Sequence, residues 1–464
     1  MSIQNIRKMV VGVERTVPLL NGKKLPYIYF DNAASTPTLQ PVLKTLNEFM
    51  EWYSNIHRGT GFKSMLSTHY FNLAREIVAE FFNINARDHL VIFGKNGTEA
   101  INKLAHRVPL PEDSVILVSK MEHHSNDLPW RFRRPVVHVD VDGLGRLDWN
   151  DLKAKLEQNA GHVGLIALTG ASNVTGYIND LDSVAEIGHR YGAKIMIDAA
   201  QLVPHRSIDI KPLGHPQHID FLTFSAHKIY APFGLGVLIA DRDTFKEGDP
   251  DMVGGGTVDL VSEDYAYWTD APEKEEAGTP NVAGAIALAR ALKVIKKIGM
   301  DNIAKHEAEL TAYALKKLKQ VPGIIIYGSV DENDSQQRLG VISFNIHGKP
   351  HALVGAILNY EGGIGVRTGC FCAHPYVKCL LGVTIEQSHV LEEKILHHDR
   401  RTVPGAVRIS FGMYNTRPEV DRAIDLLQLI TADKYKGRYV VSKETGEYHP
   451  QGVKVRFDKY FKID

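Results

Sequence analysis

Short apolar runs alternate with helical patterns through the middle of the chain, and this alternation limits the fold more than any other feature. Strands that alternate with helices form a mostly parallel sheet covered on both faces. The predicted strands are residues 90–93, 114–118, 136–139, 164–169, 194–198, 221–224 and 237–240, and the predicted helices are near 64–82, 98–107, 149–159 and 181–191. The pattern therefore predicts an α/β fold that binds its ligand beyond the carboxyl ends of the strands.

Composition excludes several classes of partner. The 464 residues carry 54 Lys+Arg and 54 Asp+Glu, and this zero net charge argues against nucleic acid. We find no run of 18 apolar residues and no signal-peptide core at the start, so we expect no membrane partner. Three cysteines, an odd and low number, indicate a reducing compartment and a cytoplasmic location.

A lysine and an aspartate lie at the ends of two predicted buried strands. Asp198 ends one apolar run, and Lys228 follows another by a few residues. A lysine can form a Schiff base with an aldehyde cofactor, and an aspartate can keep a pyridine nitrogen protonated. The pair therefore indicates pyridoxal 5'-phosphate (PLP) as the cofactor. The alternative is a structural ion pair between two strands.

A turn between a predicted strand and a helix suits the phosphate of such a cofactor. Residues 94–99 would present free backbone N–H groups and the positive end of a helix, and the Thr98 hydroxyl adds a donor. Ser225 and His227 precede the lysine and can reach the same phosphate, while Gln201 is placed to touch a ring oxygen. Without the lysine, the turn is more typical of a plain helix cap.

A histidine pair follows another predicted strand. His123 can stack on a flat ring and move protons. The alternatives are a metal-ligand pair with His124 or ordinary surface histidines. Adjacent side chains point in different directions, which disfavours the metal pair.

Together these segments resemble the class V aminotransferase-like PLP enzymes of fold type I, and most closely the cysteine desulfurases and selenocysteine lyases. The resemblance covers about residues 25 to 430, and the motifs occur in the family's order at 29–34, 96–99, 122–126, 172–176, 198–201, 225–228, 277–281 and 367–369. It implies a large domain (28–295) with a mostly parallel seven-stranded sheet, a smaller α+β domain (1–27 and 296–431) and a C-terminal extension (432–464).

The resemblance also implies a role for each matching residue. The cofactor contacts would be Gly97, Thr98, His123, Asp198, Gln201, Ser225, His227 and Lys228. Thr279 would reach the phosphate of a partner subunit, which implies a homodimer with shared active sites. Substrate would contact His57, Asn173, Arg367 and Arg408. Of these, Asn173 and Arg408 match positions that bind the substrate carboxylate, which the planar fork of an arginine suits. For Arg408 alone, the alternative is a surface charge beside a strand.

All three cysteines, Cys370, Cys372 and Cys379, lie within ten residues. The resemblance places Cys372 at the position of the sulfur-accepting cysteine of desulfurases, where Arg367 and His374 can lower the pKa of its thiol. The run 369–372 is also similar to that of molybdenum cofactor sulfurases, although the further domain of those enzymes is missing here. The choice between Cys370 and Cys372 as nucleophile therefore stays open, as does the sulfur acceptor.

Three other roles fit the cysteine cluster. The cysteines and His374 could bind a metal, Cys370 and Cys372 could form a redox pair, or all could be small core residues. We favour the nucleophile, expect no metal site, and interpret Cys379 as structural.

The preferred hypothesis is a PLP-dependent cysteine desulfurase that converts L-cysteine to L-alanine and leaves a persulfide on Cys372, or a selenocysteine lyase-like enzyme. In it, Lys228 takes the Cα proton, and a sulfur-acceptor protein is an expected partner. A second hypothesis keeps PLP but makes the enzyme an aminotransferase, an epimerase or a C–S lyase. A third is a non-catalytic scaffold for sulfur transfer.

Overall fold

The computed structural model describes residues 2–57 and 59–463. Its α-helices are α1 (Ile3–Met9), α2 (Gln40–Met50), α3 (Phe62–Phe81), α4 (Gly97–Arg107), α5 (Leu128–Arg131), α6 (Trp149–Gln158), α7 (Leu181–Arg190), α8 (Val282–Ile298), α9 (Met300–Leu318), α10 (His351–Gly362), α11 (His374–Leu380), α12 (Ile385–Leu396) and α13 (Arg417–Thr431).

The strands fall into one large sheet, one smaller sheet and several short pairs. In chain order they are β1 (Thr16–Pro18), β2 (Lys24–Pro26), β3 (Ile28–Tyr29), β4 (His89–Gly94), β5 (Val115–Ser119), β6 (Val136–Val139), β7 (Val163–Thr169), β8 (Lys194–Asp198), β9 (Phe221–Ser225), β10 (Gly236–Asp241), β11 (Val258–Val261), β12 (Ala266–Trp268), β13 (Ile324–Tyr327), β14 (Val341–Ile346), β15 (Ile364–Gly365), β16 (Arg367–Gly369), β17 (Ala406–Ser410), β18 (Tyr439–Val441) and β19 (Tyr448–Pro450).

The central sheet has seven strands in the order β4-β10-β9-β8-β7-β5-β6. Strand β10 pairs antiparallel with both β4 and β9, and the remaining neighbours are parallel. The carboxyl ends of β4, β8 and β9 therefore meet at one edge of the sheet. The α/β fold and the mostly parallel seven-stranded sheet predicted from the sequence are confirmed.

Both faces of the central sheet are covered because its strands are apolar on both sides. Along β4, Val91 and Phe93 pack with α3 and α8, whereas Leu90 and Ile92 pack with α4 on the other face. This alternation follows from the two-residue period of a strand. The predicted strands of this sheet agree with the observed ones within one or two residues.

A second sheet has four strands in the order β13-β14-β17-β16, all antiparallel. Its core, which includes Ile342 and Phe344, is covered by α9, α10 and α13. Ile28 and Phe30 pack in this core, while Ile6 and Val10 pack in the core of the central sheet.

The carboxyl-terminal tail forms the hairpin β18–β19. The Tyr439 hydroxyl donates to Glu361 over 3.0 Å, so the hairpin is tied to α10. The division into domains given above stays a prediction. Within the described part of the chain, every helix is too short or too polar to cross a bilayer.

Candidate functional site

A cavity of about 360 Å³ opens at the edge where β4, β8 and β9 end, and residues of the second sheet close its other side. It brings together most of the residues that the sequence singled out. The predicted site residues that line it are Gly97, Thr98, His123, Asn173, Asp198, Ser225, His227, Lys228, Arg367, Cys372 and Arg408.

Lys228 and Asp198 both face this cavity. Asp198 is the last residue of β8, is buried, and accepts a hydrogen bond from the Ala200 N–H over 3.0 Å. Burial lowers the pKa of the Lys228 amine and raises that of the Asp198 carboxyl, and the charge of each partner opposes these shifts. Among the described residues, no direct ion pair joins Lys228 to Asp198. The alternative of a structural ion pair between the two strands therefore lacks the contact that it requires.

Helix α4 begins at the cavity and forms the anion cradle. Asn96 caps the helix by accepting from the Glu99 N–H over 2.9 Å, while the Gly97 N–H donates to the Ser225 hydroxyl over 2.8 Å. The Thr98 hydroxyl lies 2.7 Å from the Ser125 hydroxyl. A Cβ atom at Gly97 would lie 2.7 Å from Ser225 Oγ, so this close approach requires glycine. Hydroxyls and a helix N-terminus together suit a phosphate.

Two neutral histidines flank the cradle. Burial, followed by the charge of Lys228, lowers the pKa of His123 to about 3 and that of His227 to about 4. The Nδ1 atom of His123 accepts from the Ser125 N–H over 3.1 Å, so the proton of the neutral ring is on Nε2. His123 thus presents an uncharged flat ring with one N–H donor to the cavity.

Three predicted site residues do not line the cavity. Gln201 is buried behind it and donates its amide to the Ala33 carbonyl over 2.8 Å. Thr279 is exposed in the turn before α8. His57 lies before α3, where its N–H donates to the Thr68 hydroxyl over 2.9 Å.

An arginine pair shares one carboxylate at the substrate side of the cavity. Arg408, buried on β17, donates to Asp31 Oδ1 over 3.0 Å and to the Asn173 carbonyl over 2.9 Å. Arg367, whose side chain is half exposed, contacts the other Asp31 oxygen over 2.8 Å. The Nε atom of Arg408 is buried and has no hydrogen-bond partner among the described residues. Arg367 therefore offers the more accessible guanidinium for a carboxylate, and Asp31 holds both arginines in place.

The cysteine loop separates its two candidate nucleophiles. Cys372 is exposed and lines the cavity, whereas the Cys370 thiol is buried and donates to the Pro404 carbonyl over 3.1 Å. Burial raises the pKa of the Cys370 thiol to about 11. Phe371 and Cys372 have φ angles of 53° and 54°, so two successive non-glycine residues adopt the left-handed region at the cavity.

Contacts on both sides hold this loop in position. The His124 N–H donates to the Cys372 carbonyl over 2.7 Å, and His124 Nε2 accepts from the His374 N–H over 3.2 Å. Asn173 donates its amide to the Phe371 carbonyl over 2.7 Å. The three cysteines are free, and among the described residues they do not gather with His374 into a metal-ligand group.

The sequence analysis assigned no role to several residues that the structure places at the site. Ser125 contacts both Thr98 and His123. Asp31 lies within a quoted motif, which was the one signal that could have identified it. Glu122 is buried beneath the histidines and accepts from the Thr169 N–H over 3.0 Å, and burial raises the pKa of its carboxyl to about 8.

Comparison with known proteins places the sequence within one family. It matches the family Aminotransferase class-V over residues 28–423. A probable cysteine desulfurase of Halalkalibacterium halodurans is 33% identical over 431 residues, which cover 91% of this chain and 96% of the relative. A probable cysteine desulfurase of Staphylococcus aureus is 35% identical over 419 residues, which cover 88% of this chain and 92% of the relative.

Solved structures of similar proteins share the fold. A cysteine desulfurase from Thermococcus onnurineus has a TM-score of 0.76 and 31% identity, over 88% of this chain and 95% of that one. A cysteine desulfurase from Escherichia coli, in an S-sulfonic acid form, has a TM-score of 0.76 and 27% identity, over 94% of this chain and all 100% of that one.

Proposed function

The chain belongs to the class V aminotransferase family, and we propose that it is a PLP-dependent cysteine desulfurase that converts L-cysteine to L-alanine. One observation carries the proposal: the exposed Cys372 thiol and the Lys228 amine line the same cavity, while Cys370 is buried away from it. A lysine alone would suit many reactions of this family. The thiol adds an acceptor for the sulfur atom of the substrate.

The cavity fits PLP. The start of α4 approaches the Ser225 hydroxyl so closely that only glycine fits at position 97, and this hydroxyl-lined turn suits the phosphate of the cofactor. Lys228 would hold the aldehyde, Asp198 the pyridine nitrogen and His123 a face of the ring. The phosphate would be held by Thr98, Ser225 and His227. When bound, PLP supplies an electron sink for the negative charge that develops at the substrate Cα.

Proton movement falls to Lys228. Burial lowers the pKa of its amine, which increases the uncharged fraction able to accept the Cα proton. The negative charge of the neighbouring Asp198 carboxylate opposes this lowering of the pKa of the amine. His123, neutral and protonated at Nε2, can donate a hydrogen bond into the cavity but does not compete for that proton.

Substrate binding falls to the arginine side of the cavity. The half-exposed Arg367 presents its guanidinium to the substrate carboxylate, and Asp31 positions it. Behind Arg367, Arg408 adds positive charge, and its guanidinium donates to the backbone carbonyl of Asn173. Gln201 would support the ring from behind Ala33, and His57 would reach the substrate from the segment before α3.

Cys372 receives the sulfur. Its thiolate attacks the sulfur of the bound cysteine, so an S–S bond forms as the Cβ–S bond breaks. The electron pair of the broken bond stays on carbon, which takes up a proton and becomes the methyl group of alanine. Cysteine and the Cys372 thiol thus yield alanine and a Cys372 persulfide. The left-handed loop conformation keeps this thiol on the cavity surface.

We also propose a homodimer, a sulfur-acceptor protein and a cytoplasmic location. Thr279 is exposed outside the cavity of its own chain and is therefore available to the phosphate of a partner subunit. The exposed Cys372 leaves its persulfide open to an acceptor. A reducing compartment would keep the thiol ready for the next cycle.

Alanine and sulfide formation by the PLP-loaded protein tests this function. We expect equal amounts of both from L-cysteine in the presence of a thiol reductant. Cys372→Ser should slow sulfide release at least about 100-fold, whereas Cys370→Ser and the matched exposed control Cys379→Ser should stay within about threefold. Wild-type sulfide release by Cys372→Ser, with its PLP absorbance intact, would contradict the proposal.

A further inference from the structure

Three metal-ligating side chains meet at the end of the central sheet opposite to the active site. His89 begins β4 and Asp241 ends β10, and the two are register partners in this antiparallel pair. His218 approaches from the loop before β9. Gly94, the last residue of β4, faces the cavity side, so the cluster is roughly 17 Å away along the strand. It is independent of the proposed desulfurase chemistry.

The three side chains are directed at one point. Each is at least nine-tenths buried, and one ligand atom from each lies within 4.8 Å of the others. His218 Nε2 is 2.9 Å and His89 Nε2 is 3.9 Å from Asp241 Oδ1. Ligand atoms around a tetrahedral zinc ion lie roughly 3.4 Å apart, as follows from bonds of about 2.1 Å. The two observed separations from Asp241 Oδ1 lie on either side of this spacing, so small side-chain movements would bring the three ligand atoms to the distances that a zinc ion requires.

The other ring nitrogens fix the orientation of both imidazoles. His218 Nδ1 lies 2.9 Å from the Lys211 carbonyl oxygen, and His89 Nδ1 lies 3.3 Å from that of Asn85. An Nδ1–H bonded to a backbone carbonyl leaves Nε2 to face the cluster. This arrangement is the one that orients histidine ligands in metal sites.

The Nε2 atom of His89 is the second observation that points to a ligand. The His89 residue is only 4% exposed, and its Nε2 atom has no hydrogen-bond partner among the described residues. Buried polar atoms are nearly always satisfied, so such an atom needs an explanation.

We propose that His89, His218 and Asp241 form a zinc site. Two imidazole nitrogens and a carboxylate oxygen suit Zn²⁺, with a fourth position for water. The proton that His218 shares with Asp241 leaves as the metal binds. Lys194 lies 3.6 Å from the second Asp241 oxygen, but it pairs with Asp220 over 2.6 Å, which offsets its charge.

The site would join three segments that the chain brings together only on folding: the start of β4, the loop before β9 and the end of β10. A metal that binds the folded state and not the unfolded one raises the apparent stability. We therefore expect zinc to raise the thermal midpoint of the PLP-loaded protein.

Zinc binding is measured by equilibrium dialysis and elemental analysis of the PLP-loaded protein. The background is Cys372→Ser/Cys379→Ser, because the exposed Cys372 thiol beside His124 and His374 can itself take zinc. We expect one zinc per chain and a zinc-dependent rise in thermal midpoint. His89→Gln should lower the zinc affinity at least tenfold and abolish the rise.

The matched control is His162→Gln, since His162 is an exposed histidine that also has a carboxylate partner, Asp113 at 3.0 Å. It should bind zinc like its parent. If circular dichroism shows that His89→Gln is unfolded, Asp241→Asn should produce the same loss. No zinc bound to the parent, no rise in its thermal midpoint, or full affinity in a folded His89→Gln or Asp241→Asn variant would each overturn the proposal.

Discussion

The Asp31 carboxylate accepts a 3.0 Å hydrogen bond from the buried guanidinium of Arg408. The two residues are 377 positions apart in the chain, and the contact ties the segment after β3 to the second sheet. The other oxygen of the Asp31 carboxylate contacts Arg367. A single carboxylate therefore orders both guanidinium groups at the substrate side of the cavity.

Asp31→Asn should therefore destabilise the protein more than a typical surface charge change. It leaves the buried Arg408 charge without its counter-ion, and we expect a loss of about 2–3 kcal/mol in the free energy of unfolding. Urea unfolding of the PLP-loaded protein measures it. The matched control is Asp399→Asn, which breaks the more exposed pair with Arg401 and should lower the free energy of unfolding much less, because solvent screens that pair. Equal losses in the two variants would show that Asp31 has no special role.

Gly97→Ala should weaken PLP binding while the protein still folds. The new methyl group would lie 2.7 Å from Ser225 Oγ, so the start of α4 must move away from the hydroxyl that shares the cradle. Overpacking of this kind costs about 1–3 kcal/mol, and we expect at least a tenfold rise in the PLP dissociation constant. Absorbance titration measures it. Gly143→Ala, where a Cβ meets no atom within 4 Å, is the control and should bind PLP normally.

Local patterns in the sequence were enough to predict the central sheet and most of the cavity. The strands at 90–93 and 194–198 are continuous apolar runs, and Lys228 and Asp198 follow such runs directly. Because parallel strands end at a common edge, two strand-end residues could be placed together without coordinates.

Other contacts join segments that are far apart in the sequence, and neither segment predicts which partner it will meet. Asp31 meets Arg408 and Ser125 meets Thr98 through hydrogen bonds between distant parts of the chain. His89, which directly precedes the strand predicted at 90–93, carries no pattern that separates it from an ordinary core histidine until folding brings His218 and Asp241 beside it. Exposure likewise decided between Cys370 and Cys372 in our proposal, and the spacing of the two cysteines could not.

The two cysteines should differ in their reaction with iodoacetamide. Burial raises the pKa of Cys370 to about 11, so at pH 8 only about one thiol in a thousand is ionised, and the sulfur is also shielded from the reagent. Mass spectrometry of peptides labelled for increasing times should show Cys370 modified at least tenfold more slowly than Cys372. Cys379, exposed in the same segment, is the internal control. Equal labelling of all three residues in the folded protein would contradict the placement of Cys370.

The neutral His123 should make the cofactor-free protein sensitive to acid. Burial lowers the pKa of His123 to about 3 from an ordinary value of 6.5, so between these pH values the unfolded chain binds a proton that the folded chain refuses. The contribution of the neutral His123 ring to the free energy of unfolding is therefore fully present above pH 6.5 and is lost as the pH drops toward 3. His123→Phe removes this penalty, and its loss of unfolding free energy between pH 7 and pH 4 should be smaller than that of wild type by about 3 kcal/mol. The control is His69→Phe, because the His69 ring is exposed in the folded state and should leave the profile unchanged. Urea unfolding at several pH values measures all three proteins, and parallel profiles for wild type and His123→Phe would mean that His123 is not held neutral by burial.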